Sequence, residues 1–344
     1  MGRAGFNRKT GLATLTMVLA AEAADADVVW AIKGPIEAFQ HHRGITHAFV
    51  GAPFVAAATL ASVFLLHRFW LSRRSSVTQS LPVRWGYLYW LALIAALSHL
   101  LLDYTTAYGT RLFEPFDWRW YSWDIMYIIE PVMLAALILG LVMPSLFSLI
   151  NQEIGARSKG PRGRGGAIFA LICVVIIWGY RDYEHRHALS AMNAITYNGA
   201  EPQRTAAYPY MVNPYRWHGV VETANFYQTV PVNSSGPQVG VGSGARIFYQ
   251  PEETAVTRAA KESHFGRVYL DWAAFPYVET QNLEGDPNGY LVQFHDLRYA
   301  YPEMRAGGVL GGSVLLSPNL RVEAQGPNSS RPTWLAKLQG SSAH

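Results

Sequence analysis

Cysteine is almost missing from this chain: Cys173 is the only one in 344 residues, and it falls inside an apolar run. A disulfide framework needs pairs and a cysteine zinc site needs several thiolates, so both are excluded. Charge is scarce as well, at 15% of residues, with 28 Lys and Arg against 24 Asp and Glu. The net charge of +4 does not imply nucleic acid, because the basic residues sit in short loops between apolar runs rather than along one face. No His-Glu-x-x-His helix and no phosphate-binding glycine loop occurs, so zincin and nucleotide-hydrolase chemistry fall away. Beyond residue 190 long apolar runs are absent too, and Pro, Gly, Asn and Tyr take over. The mean hydropathy of +0.06 therefore averages two unlike halves, one suited to a membrane and one to water.

The apolar runs of the first half define the helices. Gly11 to Ala24 is small and apolar and is followed by Asp25-Ala26-Asp27; it is too short to span and reads as a helix packed within a bundle. Spanning helices are expected over Ile45 to Leu66, Trp85 to Leu102 and Ile125 to Ile150, with a shorter one over Ala167 to Tyr180. The loop from His67 to Arg84 carries Arg68, Arg73, Arg74 and Arg84 without an acid. The loop from Asn151 to Gly166 carries Arg157, Lys159, Arg162 and Arg164 against Glu153 alone. Both are cytoplasmic by the positive-inside rule, which puts the acidic, Trp- and Tyr-rich loop from Tyr104 to Asp124 outside.

The second half reads as mostly β, with short strands at Trp217 to Thr223, Arg246 to Tyr249, Arg267 to Leu270, Tyr290 to Phe294 and Ser313 to Leu316, and a helix over Glu252 to Glu262. The turn-rich stretches Asn233 to Pro237 and Glu284 to Gly289 separate them. The expected fold is thus a membrane α-helical bundle of about four to five helices followed by a mostly β soluble domain. Its parts are a membrane domain over 1–189, an exported β domain over 190–325 and a flexible tail over 326–344.

Topology concentrates chemistry at one membrane face. His99 and Asp103 stand four residues apart on one helix and project from the same side. His42 and His47 fall at the outer start of the Ile45 helix, and Asp25 and Asp27 at the outer end of the first. Asp124, Glu130 and the run Arg181 to His187 are delivered to that side too. Charged groups at the bilayer centre cost about 2.5–3.5 kcal/mol each on insertion scales, so such a gathering implies a purpose. A polynuclear metal site is one purpose, and a polar network tying helix ends together is the other. His185 and His187, two apart, cannot share a helical face, and His67 is excluded by topology; His218, His264 and His295 have no ligand spacing.

These residues resemble the membrane-bound metal-dependent hydrolase family, often called the YdjM or YbcI type. The matching stretches are Ala24 to Asp27, His42-Arg43-Gly44-Ile45-Thr46-His47, Ser98-His99-Leu100-Leu101-Leu102-Asp103, Tyr108-Gly109-Thr110 and Ile128-Ile129-Glu130-Pro131. Asn213 to Trp217 and Asp296 to Tyr299 look like the longer members. The sequence departs from the family in lacking a Thr-His pair before Asp25, in having Ala24 where Pro is usual, and in having Glu130 where Asp is commoner. The family is distantly similar to zinc-dependent phospholipase C and P1-type nucleases, which also use a His-x-x-x-Asp helix, so the resemblance implies phosphoester hydrolysis by analogy of site layout.

The expected ligands of a divalent metal, zinc by donor type, are His42, His47, His99 and Asp103, with Asp25, Asp27 and Glu130 as further ligands or bridges. Such a metal lowers the pKa of its water to about 7 and so provides a nucleophile at neutral pH. Arg43 would hold an anionic substrate oxygen or pair with one of the carboxylates. A site at headgroup depth favours a membrane lipid or other lipid-linked phosphoester in an inner membrane. The competing expectation is a membrane-anchored binding or assembly protein whose metal is structural.

Overall fold

The computed structural model describes residues 1–71, 81–153, 163–236, 238–242, 244–250, 252–284, 288–302 and 310–328. Arg73, Arg74, Arg157, Lys159 and Arg162, parts of both turn-rich stretches, and the tail from residue 329 lie outside them. The chain forms two compact units. The first comprises Met1–Asp27, Arg43–Glu184 and Pro209–Pro214, and the second Val28–His42, His185–Tyr208 and Tyr215–His344. The division is therefore not a single cut near residue 189.

In the first unit, helices α1 (Ala13–Glu22), α3 (Gly51–Leu66) and α4 (Trp85–Tyr104) pack on one another. Their contact is made by small side chains. Ala20, Ala52, Ala56, Ala92, Ala95 and Ala96 are fully buried, while Phe54, Phe64, Trp90 and Leu101 point outward. Large-out and small-in is the arrangement of helices in lipid, where close backbone approach rather than hydrophobic burial drives association. The same device joins α5 (Pro131–Glu153) to α6 (Arg164–Asn193): a Cβ on Gly140 would stand 2.6 Å from both Ala170 Cβ and the Gly166 carbonyl oxygen. Among the described residues three helices are long and apolar enough to cross a membrane, Gly51–Trp70, Trp85–Tyr104 and Arg164–Asn193; Pro131–Pro144 is a shorter apolar stretch.

Helix starts differ from the sequence expectation for local reasons. The run from Ile45 does not enter α3 directly: Ile45–His47 is a 3-10 turn and the helix begins at Gly51. The run from Ile125 stays irregular until Pro131, because Pro fits the first helical position and disfavours helical backbone in the residue before it. The fourth apolar run is longer than expected and continues as α6 to Asn193.

The second unit contains helix α2 (Pro35–His41) and two antiparallel sheets. The first sheet orders β1 (Arg204–Pro209), β2 (Arg216–Glu222), β3 (Phe226–Asn233) and β4 (Gln238–Val239), with β5 (Arg246–Tyr249) also paired to β3. Its core gathers Ala188 and Met192 from α6 with Trp217, Val221, Phe226, Val230 and Val232. The second sheet runs β6 (Pro276–Leu283), β7 (Gly289–Asp296), β8 (Gly312–Leu316) and β9 (Val322–Pro327). Helices α7 (Ala255–Glu262) and α8 (His264–Trp272) pack on it.

Two expectations are corrected here. Arg267 to Leu270 is not a strand but lies in α8, where Phe265, Val268, Tyr269 and Trp272 form one buried face at helical spacing and Ser263 accepts the Gly266 N–H as a cap. Gly326 and Pro327 are not tail but part of β9, in register with Ser313 and Gly312 of β8.

Candidate metal centre

Three chain segments of the first unit converge at one end of α3 and α4. The stretch after α1 winds as a 3-10 helix from Ala23 and brings Asp25; the Ile45–His47 turn brings His47; the last turns of α4 bring His99 and Asp103. The Nε2 atoms of His47 and His99 are 3.2 Å apart. Asp25 Oδ1 stands 3.4 Å from the first and 3.5 Å from the second. Asp103 Oδ2 stands 3.3 Å and 3.2 Å from the same two nitrogens.

Two carboxylate oxygens facing two imidazole nitrogens are mostly lone pairs, which only protons or a cation can hold together. Asp103 Oδ2 is buried and has no hydrogen-bond partner of acceptable geometry among the described residues. Asp25, His47 and His99 each offer one ligand atom, and the three lie within 4.8 Å of one another. Ligand atoms about 2.0–2.1 Å from a tetrahedral zinc stand about 3.3–3.4 Å from one another, which is the spacing of this triangle. The donor set and its spacing thus fit a divalent ion.

A second layer surrounds this set. Asp27 is buried, and its Oδ2 accepts the Arg43 backbone N–H at 2.8 Å while standing 3.5 Å from His47 Nδ1. The Thr46 hydroxyl is 3.1 Å from the same Nδ1. A carboxylate beside Nδ1 favours the proton there and leaves Nε2 its lone pair, as in histidine metal ligands generally. The guanidinium of Arg43 binds Asp103 Oδ1 at 2.8 Å. Exposure is uneven: the His47 side chain is 0% exposed and that of Asp25 is 49% exposed, so the set opens at the Asp25 edge.

The remaining expected residues are placed elsewhere. Glu130 gives Oε2 to Arg181 at 2.7 Å in a buried ion pair, with Arg181 also donating to the Asn213 and Tyr210 carbonyls. His42 caps α2 and is grouped with the second unit. Asp182 accepts the Trp123 indole N–H at 2.8 Å. Of the ligands expected from sequence, Asp25, His47, His99 and Asp103 come together, while Asp27 meets His47 from its other side.

The aromatic loop after α4 is tied to this end of the unit. Arg111 N donates to the Arg43 carbonyl at 3.2 Å and Phe49 N to the Leu112 carbonyl at 2.9 Å. Arg111 lies over Trp118 and Trp120, while Phe113, Phe116 and Trp118 remain exposed. Asp117 is held well below the usual carboxylate range by the Arg119 guanidinium, with its backbone N–H and the Tyr121 hydroxyl adding to the effect.

A family profile described as the YdjM inner membrane protein matches residues 2–188. The chain belongs to the YdjM inner membrane protein family. The match covers α1 to α5, most of α6 and every residue of the convergent set, and together with the three apolar helices it assigns the YdjM-type chain to a membrane. It names a location and no reaction. No curated protein and no solved structure shows significant similarity to the chain.

Proposed function

We propose that this YdjM-family protein is a metal-dependent hydrolase of an ester at the membrane surface, a lipid-linked phosphoester by preference. The observation that supports it most is the convergence of Asp25, His47 and His99, with the buried Asp103 Oδ2 3.2–3.3 Å from both imidazole nitrogens. A divalent metal, zinc by the donor set, supplies Lewis acidity and a water ionised near neutral pH. The chain's own residues do the rest. His47 and His99 present ring nitrogens, Asp103 adds a carboxylate oxygen facing both, and the exposed Asp25 leaves an edge through which water and an ester would enter. Such an open edge favours catalysis over a structural site, whose ligands close around the ion. The lipid preference rests on the site's place at the ends of two apolar helices and on the exposed aromatics beside it, the residue type of membrane interfaces.

The test is metal content and turnover together. Purified full-length protein in detergent should carry a divalent ion that is lost in His99→Ala and in Asp103→Ala. Hydrolysis of some member of a phosphoester and lipid-ester panel should stop with a chelator, return with metal, and fall by orders of magnitude in Asp103→Asn. Unchanged metal content in both alanine variants removes the centre. Bound metal without chelator-sensitive turnover favours a membrane-anchored binding protein with a structural ion.

A further inference from the structure

Arg43 has unusual backbone and side-chain constraints at once. Its φ of 57° lies in the left-handed region, uncommon for a residue with a side chain. Both backbone groups are used: the N–H goes to Asp27 Oδ2 at 2.8 Å, and the carbonyl accepts Arg111 N–H at 3.2 Å. The side chain is constrained as well. One terminal nitrogen binds Asp103 Oδ1 at 2.8 Å, the other donates to the Thr106 hydroxyl at 3.2 Å, and the guanidinium lies 4.9 Å from the Tyr108 ring centroid. Its Nε is buried. The Thr106 hydroxyl is itself oriented, since it donates to the Asp103 carbonyl at 2.8 Å.

An arginine waiting for a substrate oxyanion would present its fork to open space. Here the fork is committed to a carboxylate and a hydroxyl, with an aromatic ring against it. We propose that Arg43 is a positioning residue of the metal centre. By occupying Oδ1 it turns Asp103 so that Oδ2 alone faces the His47 and His99 nitrogens. Asp27 completes the frame, because one of its oxygens both holds the Arg43 backbone and stands beside His47 Nδ1. Arg43 and Asp27 thereby fix a carboxylate and an imidazole of the inner set from outside it. The inference rests on the metal-centre reading and adds to it which residues set the ligand geometry.

Cobalt(II), whose visible absorption reports ligand number and symmetry, serves as the probe, titrated into metal-free full-length protein in detergent. Arg43→Met should weaken cobalt binding about 10- to 100-fold, the usual cost of losing an outer partner of a ligand, and should alter the visible spectrum. Arg43→Lys, which keeps the charge but loses the fork, should recover part of the affinity, and Thr106→Val should lower it by less than Arg43→Met. Helical circular dichroism reports folding, and if Arg43→Met does not fold, the Lys and Thr106 variants decide the matter alone. Wild-type affinity and spectrum in folded Arg43 variants would overturn the positioning role and return the guanidinium to a substrate, while His99→Ala still abolished binding. A wild-type protein that binds no cobalt, with His99→Ala indistinguishable from it, would instead remove the metal centre itself.

Discussion

Asp25 and Asp27 show how little a shared spacing says about a shared role. Both belong to a 3-10 stretch, where three residues make a turn, so side chains two apart point about 120° from each other. They leave the turn in different directions and meet different nitrogens of one imidazole: Asp25 approaches Nε2 of His47 and Asp27 approaches Nδ1. Glu130 separates from the inner set by the same kind of commitment, since one of its oxygens is bound to Arg181 with both side chains buried. Removing one partner of a buried pair strands the other charge at a cost of about 3–5 kcal/mol. Glu130→Ala should therefore lower the thermal midpoint in detergent markedly, with Glu130→Gln milder because it keeps an acceptor for the Arg181 N–H, and with metal content retained in both. Loss of metal from a Glu130→Gln protein that melts like the wild type would place Glu130 in the centre after all.

At the scale of elements, the His-x-x-x-Asp pair was legible because helix geometry is local, and both side chains do reach the centre. The ends of the helices were not, because their causes lie outside the apolar pattern. Gly51 is the clearest case: a Cβ there would stand 1.8 Å from the Ile45 carbonyl oxygen, so the turn carrying His47 can fold back on α3 only over a glycine. Nothing in the run from Ile45 to Leu66 marks that contact. Gly51→Ala should displace the His47 turn, cost about 1–3 kcal/mol by overpacking, and reduce metal occupancy while helical content stays at the wild-type level. Unchanged occupancy in Gly51→Ala would mean that His47 is held by something other than this close approach. In the β half, β2, β5, β7 and β8 were visible as short apolar runs, whereas β1, β3, β4, β6 and β9 were not separately marked. The segment Arg267 to Leu270 misled because four residues are too few to separate a period of 2 from one of 3.6; the wider set Phe265, Val268, Tyr269 and Trp272 would have shown the helix.

The whole molecule turns these local facts into an orientation. Between Trp85 and Asp103, α4 rises 1.5 Å per residue, about 27 Å over that interval, which approaches the thickness of the hydrocarbon core. With α4 spanning the membrane, the candidate metal centre at its end is expected at the opposite face from the loop between α3 and α4, whose sequence carries Arg68, Arg73, Arg74 and Arg84 and no acid. Positive loops stay in the cytoplasm, so the centre is expected outside it, with the β domain on the same side. Single cysteines at Ser76 and Ser341, in a background where Cys173→Ala removes the only native thiol, allow a direct measurement with a membrane-impermeant maleimide. Cysteine at 341 should react in intact spheroplasts and cysteine at 76 only after the membrane is opened. Labelling of position 76 from outside would invert the orientation and place the centre in the cytoplasm, where soluble phosphoesters rather than exported lipid-linked ones would be the substrates to try. Labelling at neither position in intact cells, but at both in opened ones, would put the β domain across the membrane from the centre. The exposed aromatics of the loop after α4 would then stand alone as the surface that meets an incoming lipid.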